Sequence, residues 1–171
     1  MIKHSIGIDP GNSGAIVVLA DGEPHAWLNM PHIKVGSTVR INGAQIADFL
    51  FPYKGAPTFL ELVGVMPKQG ISSAFTFGHS AGVIQGIIQG MGNPLTLIRP
   101  QQWKKAAGLI GTDKDAARSK AVLLWPNWRA LDSKGKGGAL ADAALIGRFG
   151  DHERIRHICN SLSNEKTWLK P

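Results

Sequence analysis

Hydrophobic and polar positions alternate at once along this chain. Residues 2–9, IKHSIGID, predict a strand, and residues 14–20, GAIVVLA, predict a second. Asp21-Gly22 is a two-residue hairpin signal leading into a third strand, PHAWLNM. The chain therefore opens as an antiparallel meander. Residues 31–41 read as a polar connection, after which Asn42 caps a short helix, NGAQIADFLF, with Ile46, Phe49 and Leu50 on its inner face. The strand PTFLELV comes next, then a Gly/Pro/Ser loop, a helix from Ser72 to Gln89 and a short strand, PLTLI. That strand–helix–strand alternation is the pattern of a parallel unit. Beyond residue 100 the spacing is helical: PQQWKKAAGL with Pro in its first turn, TDKDAARSKAVLLW with a Thr or Asp cap, and ALADAALIGRF. The expectation is one α/β domain over residues 1–150 and a polar helical extension or tail over 151–171.

Three acids interrupt the apolar pattern. Asp9 ends the first strand (IGIDPG), Glu61 sits inside the fourth (FLELV), and Asp142 lies in a small-residue helix (ALADAAL). An isolated buried carboxylate is costly unless something pairs with it. Each has a plain alternative: Asp9-Pro10-Gly11 is a turn signal, Glu61 can pair with a basic residue, and Asp142 can be solvated. A joint explanation is a site built from a sheet centre and a helix crossing it, since three separate elements would otherwise break the inside/outside pattern independently. Gly138, Ala139, Ala141 and Ala143 would let that helix approach closely. Clustered carboxylates suit Mg²⁺, with Mn²⁺ able to substitute, and two such ions about 4 Å apart support in-line attack on a phosphodiester.

Charge narrows the partner. Nineteen Lys and Arg against twelve Asp and Glu leave a net charge of +7, which attracts polyanions and makes nucleic acid the first partner to test. A single cysteine, Cys159, rules out an internal disulfide and a multi-cysteine zinc site, as suits a reducing compartment. No apolar run approaches the ~20 residues needed to span a bilayer. The expectation is a soluble protein with no membrane partner.

The blocks GIDPGNSGAIVVL, LELVGVMPKQGISSAFTFGHSAG, PQQWKKAAGLIGTDKDAARSKAVLLWP and ALADAALIG resemble the successive motifs of RuvC-type Holliday junction resolvases, in particular the bacteriophage and organelle branch. The resemblance covers residues 5–150. It implies an RNase H-like fold with a mixed five-stranded sheet flanked by helices, a homodimer, and Mg²⁺-dependent paired nicking of four-way DNA junctions. It implies metal ligation by Asp9 and Glu61 and places the family's last-helix acid on Asp142. It also implies the cytoplasm of a bacterial or phage-infected cell in preference to an organelle matrix. One departure stands out. The family carries a further acid or a His three to five residues before the last acid, where this chain has Gly137, Gly138 and Ala139. Asp132 could be recruited instead, or the chain could bind junctions with a weakened or inactive site. The segment DPGNSGA also looks like the phosphate loop of an actin-like ATPase or sugar kinase, but those need two related domains around a cleft.

Candidate DNA contacts follow from position and charge. Lys68, Gln69, Ser72 and Ser73 lie in and just after the loop that follows the Glu61 strand. Phe75 is a candidate for stacking on an unpaired base, Phe77 a packing residue and His79 a packed or interface residue. Gly78, Gly82, Gly86 and Gly90 form a smooth stripe suited to a two-fold helix pair. Trp103 reads as a core anchor, and Lys104 and Lys105 beside it as phosphate contacts. Lys114 and Arg118 are expected on one helical face, and Lys134 and Lys136 in a mobile basic loop.

Overall fold

The computed structural model describes residues 3–62, 64 and 70–165. Strands β1 (His4–Asp9), β2 (Ala15–Ala20) and β3 (Glu23–Asn29) form the antiparallel meander. Asp21 and Gly22 both take positive φ (50° and 87°), the backbone a tight hairpin requires and the reason for the Asp-Gly pair. Hairpin strands β4 (His32–Val35) and β5 (Thr38–Ile41) occupy the stretch expected to be a polar connection. The sequence conceals them because β4 is exposed on both faces, so no inside/outside contrast marks it.

Helix α1 (Gly43–Leu50) begins where expected, with the Gln45 amide donating to the Asn42 side chain (3.2 Å). Strand β6 (Thr58–Glu61) pairs in parallel with β1 and with β7 (Leu95–Ile98), joined to the latter by α2 (Ile71–Gly90). The sheet order is β3-β2-β1-β6-β7. Helices α3 (Pro100–Ala107), α4 (Ala116–Leu124) and α5 (Lys134–Glu165) complete the chain. This is the mixed five-stranded, helix-flanked sheet of an RNase H-like fold. One expectation is corrected here: apart from Ser133, SKGKGG is no loop but the start of α5. Helix α5 runs on to Glu165. Among the described residues no helix is long and apolar enough to cross a membrane.

Strand alternation sorts the core into two layers. Ile6, Ile8, Ile16, Val18 and Leu60 face α1 and α2, where Ile46, Leu50, Ile84 and Ile88 meet them. Val17, Leu19 and Phe59 face α3, α4 and α5, against Trp103, Ala121, Leu140 and Ala144. The period of two then puts Gly7 and Asp9 of β1, and Glu61 of β6, on the α5 side. Gly7 is there for contact: a Cβ on it would lie 2.0 Å from the Ala143 carbonyl oxygen and 2.5 Å from the Gly147 nitrogen. Helix α5 thus crosses β1 backbone to backbone.

Candidate functional site

That close crossing assembles the acids. Asp9 and Glu61 end adjacent parallel strands one step beyond the Ile8–Leu60 pair, and α5 brings Asp142 to the same end of the sheet. Ligands in open α/β sheets gather at the carboxyl ends of the strands. None of the four ion pairs among the described residues involves these acids. Their fixed partners are hydrogen-bond donors: the Gly11 amide donates to Asp9 Oδ1 (3.2 Å), and the Trp103 indole Nε1–H donates to Glu61 Oε1 (2.9 Å).

Burial dominates the electrostatics of all three. It raises Asp9, with the Gly11 amide and Lys104 opposing, and it raises Glu61, where the Trp103 bond and Lys104 oppose and Asp9 adds repulsion. Asp142 is pushed up to about 7 by burial and then by repulsion from Asp9 and Glu61, against the pull of Lys104. Lys104 is therefore the shared counter-charge of the cluster. Its Nζ stands 5.3 Å from the Trp103 ring centroid.

The donor chemistry is that of a hard divalent cation. Yet among the described residues no group of three or more His, Cys, Asp or Glu side chains is arranged to hold a metal ion. Asp9 raises the proton affinity of Glu61, and both raise that of Asp142, yet the three do not close on a common point. Nor does a fourth acid close the gap. Gly137 has no room for a side chain, since a Cβ would lie 2.6 Å from the Leu131 carbonyl oxygen, and Ala139 is packed in the core. Gly138 faces open space. Asp132, the suggested substitute, is tied to Arg129 (2.8 Å).

Two hollows flank the acids. One, of about 440 Å³, is lined by Gly11, Asn12, Ser13, Ser72, Ser73, Thr76 and Phe77 and offers hydroxyls and an amide without charge. The other, of about 350 Å³, has Lys104, Lys114, Thr112, Asp113 and Asp142 in its walls. Ser72 and Ser73 thus reach the site from the first turn of α2, and Lys104 and Lys114 from the other side. Lys68 and Gln69 lie outside the described residues. Phe75 is 61% exposed, with the Arg40 guanidinium 5.4 Å from its ring centroid. Phe77 is half-buried and His79 exposed. Lys105 is exposed on α3 and Lys136 on α5. The backbone of Lys134 opens α5.

Arg118 departs from its expected role. Lys114 precedes α4 and shares no helical face with it, while Arg118 grips Asp115 (2.7 Å) and donates to the Leu131 carbonyl (3.2 Å). The Asp115–Arg118 spacing of three is itself the signal for that pair. Asn12, Ser13, Thr76 and Thr112 escaped the sequence reading because ordinary polar loop and helix residues carry no mark of the hollow they will line. The Trp103 contact escaped it too, although a buried indole calls for an acceptor.

No family model matches the chain. Over 89 residues it is 32% identical to "Holliday junction resolvase MOC1, chloroplastic" of Chlamydomonas reinhardtii, a match covering 52% of this chain and 10% of that protein. The chain spans about a tenth of the curated relative it matches. Among solved structures it is similar to Thermus thermophilus RuvC in complex with a Holliday junction substrate, with a TM-score of 0.60 at 16% identity over 88% of this chain and 94% of the other. A second Thermus thermophilus RuvC structure gives 0.56 at 15% identity, over 90% and 97%. The chain has the RuvC fold.

Proposed function

We propose that this chain binds four-way DNA junctions on its RuvC-like fold and carries a weakened catalytic centre. The observation that supports this most directly is the incomplete acid cluster: three carboxylates gather at the strand ends of a basic protein, but they do not close on a cation, and Gly138 stands open where a further acid would sit. Lys104 and Lys114 supply positive charge beside the cluster, Lys105 adds an exposed charge on α3, and the hydroxyl-lined hollow offers neutral phosphate contacts. Phe75, exposed at the start of α2, is suited to stack on a base at the junction centre.

A homodimer is part of the reading. A Cβ on Gly78, Gly82, Gly86 or Gly90 would meet nothing within 4 Å, so this stripe of α2 is bare, and a two-fold copy would cover it. The mutual repulsion of the acids favours a second reading, in which the same chain hydrolyses one phosphodiester on each of two opposed strands with Mg²⁺ or Mn²⁺. A labelled four-way junction, incubated with and without Mg²⁺ or Mn²⁺ beside linear duplex and RNA/DNA hybrid, separates the two. Junction-selective binding with absent or slow nicking is expected. Prompt paired nicking establishes the second reading, and equal affinity for linear duplex overturns both.

A further inference from the structure

Glu61 is the acid with the most freedom to point elsewhere. It ends a strand and its side chain has three torsions, while no cation is paired with it among the described residues. Its one hydrogen bond is from Trp103 to Oε1, and Oε2 has no partner among the described residues.

Trp103 is an unusually rigid donor. Its side chain is 1% exposed and sits in the core layer between the sheet and α5. An indole has two torsions and a single N–H that can only donate, so its partner must offer an acceptor oxygen. The other indoles of this core show that burial alone does not select such a partner. Trp125 donates to the Gly22 carbonyl (3.1 Å), and the buried Nε1 of Trp128 has no partner among the described residues. A purely space-filling role at position 103 would be met by Phe.

We infer that Trp103 is a positioning residue, whose indole N–H fixes the Glu61 carboxylate in the orientation that leaves Oε2 facing what enters between Asp9 and Asp142. The inference rests on reading the three acids as the catalytic centre.

The test replaces Trp103 site-specifically with 3-benzothienylalanine, which keeps the shape of the indole but puts sulfur in place of N–H, beside Trp103→Phe as the genetic counterpart. In the crystal structure of the isostere protein the Glu61 carboxylate is expected to turn away while α3 and the core stay in place. A carboxylate that keeps its position without the donor overturns the inference, whether or not the protein cuts DNA. In the parent, the Trp103 indole proton is expected to exchange slowly with solvent in NMR, and to exchange much faster in Glu61→Leu but not in Asp9→Asn. Equal exchange in parent and Glu61→Leu also overturns it. If the parent nicks junctions with Mn²⁺, the isostere should lose about tenfold in single-turnover rate, the scale of one hydrogen bond to a charged group, with junction affinity unchanged. Equal loss of affinity and rate would assign Trp103 to the scaffold alone. A parent that does not nick removes the second functional reading and leaves the crystallographic and exchange results to decide.

Discussion

Helices α2 and α5 are both rich in glycine, and they use it in opposite ways. On α5, Gly147 lies against Gly7, and a Cβ on Gly150 would stand 2.2 Å from the Phe59 ring, so the missing side chains are what allow the helix to lie on the sheet. On α2, Gly78, Gly82, Gly86 and Gly90 face outward. The first stripe is filled by its own sheet; the second has no occupant among the described residues. A run of small residues is thus a statement about a neighbour's distance, and only the structure says whether that neighbour belongs to the same chain.

The largest effect should come from breaking the closed stripe. Gly7→Ala forces a methyl into the Ala143 carbonyl and should cost about 3 kcal/mol, or about 10 °C in Tm, by thermal unfolding. Because Gly7 sets how near Asp142 comes to Asp9, the same variant should also lower the proton affinity of Asp142. An unchanged Tm would show that α5 can lift off the sheet at little cost.

The charge carried across that contact sets the next effect. Asp142 holds its proton up to about 7 when folded, against an ordinary 3.8, so the folded chain binds more protons than the unfolded one between those values. Stability from this group is therefore full below about pH 4, is lost as pH rises, and stays lost above about pH 7. The shift bounds the effect at about 4 kcal/mol. Solvent at this half-buried group reduces it to about 1–2 kcal/mol. Asp142→Asn should raise Tm at pH 8 without divalent metal and leave it almost unchanged at pH 4. A parent more stable at pH 8 than at pH 5 through this residue would contradict the burial argument.

On the open stripe the sign reverses. Gly82→Ala with Gly86→Ala should stabilise α2 by about 1 kcal/mol, because Ala replaces Gly in a helix interior with nothing to strike. If a second copy covers the stripe, light scattering should show weaker self-association in the same protein. A destabilised monomer would mean that the stripe already has a partner in the chain. Gly138→Asp is the smallest change in stability, a few tenths of a kcal/mol from repulsion with Asp142 four residues on. It should nevertheless raise Mg²⁺-dependent nicking, on the order of tenfold, if the gap is what weakens the centre. No gain in the nicking assay would place the weakness elsewhere.

Much of this was legible before any coordinates. Asp9, Glu61 and Asp142 each break a local apolar pattern, and the Asp21-Gly22 turn fixes the meander, so local rules sufficed. What stayed hidden was decided by tertiary contact. KGKGG has poor helix propensity and reads as a loop, yet its glycines are helical, and Gly137 packs against the Leu131 backbone. The Trp103–Glu61 bond spans 42 residues, beyond any local pattern. In the β4–β5 hairpin only Ile41, the last residue of β5, is buried, so the hairpin leaves no periodic trace.

The spacing of the acids along the chain has a kinetic consequence. Asp9 and Glu61 are about fifty residues apart and Asp142 about eighty further on, so the three meet only through non-local contacts that form as the sheet and α5 come together. Their conflict is therefore absent from early, locally structured states and falls on the finished fold. Neutralising one of them should act chiefly on the rate at which the molecule comes apart, leaving the rate at which it assembles nearly untouched.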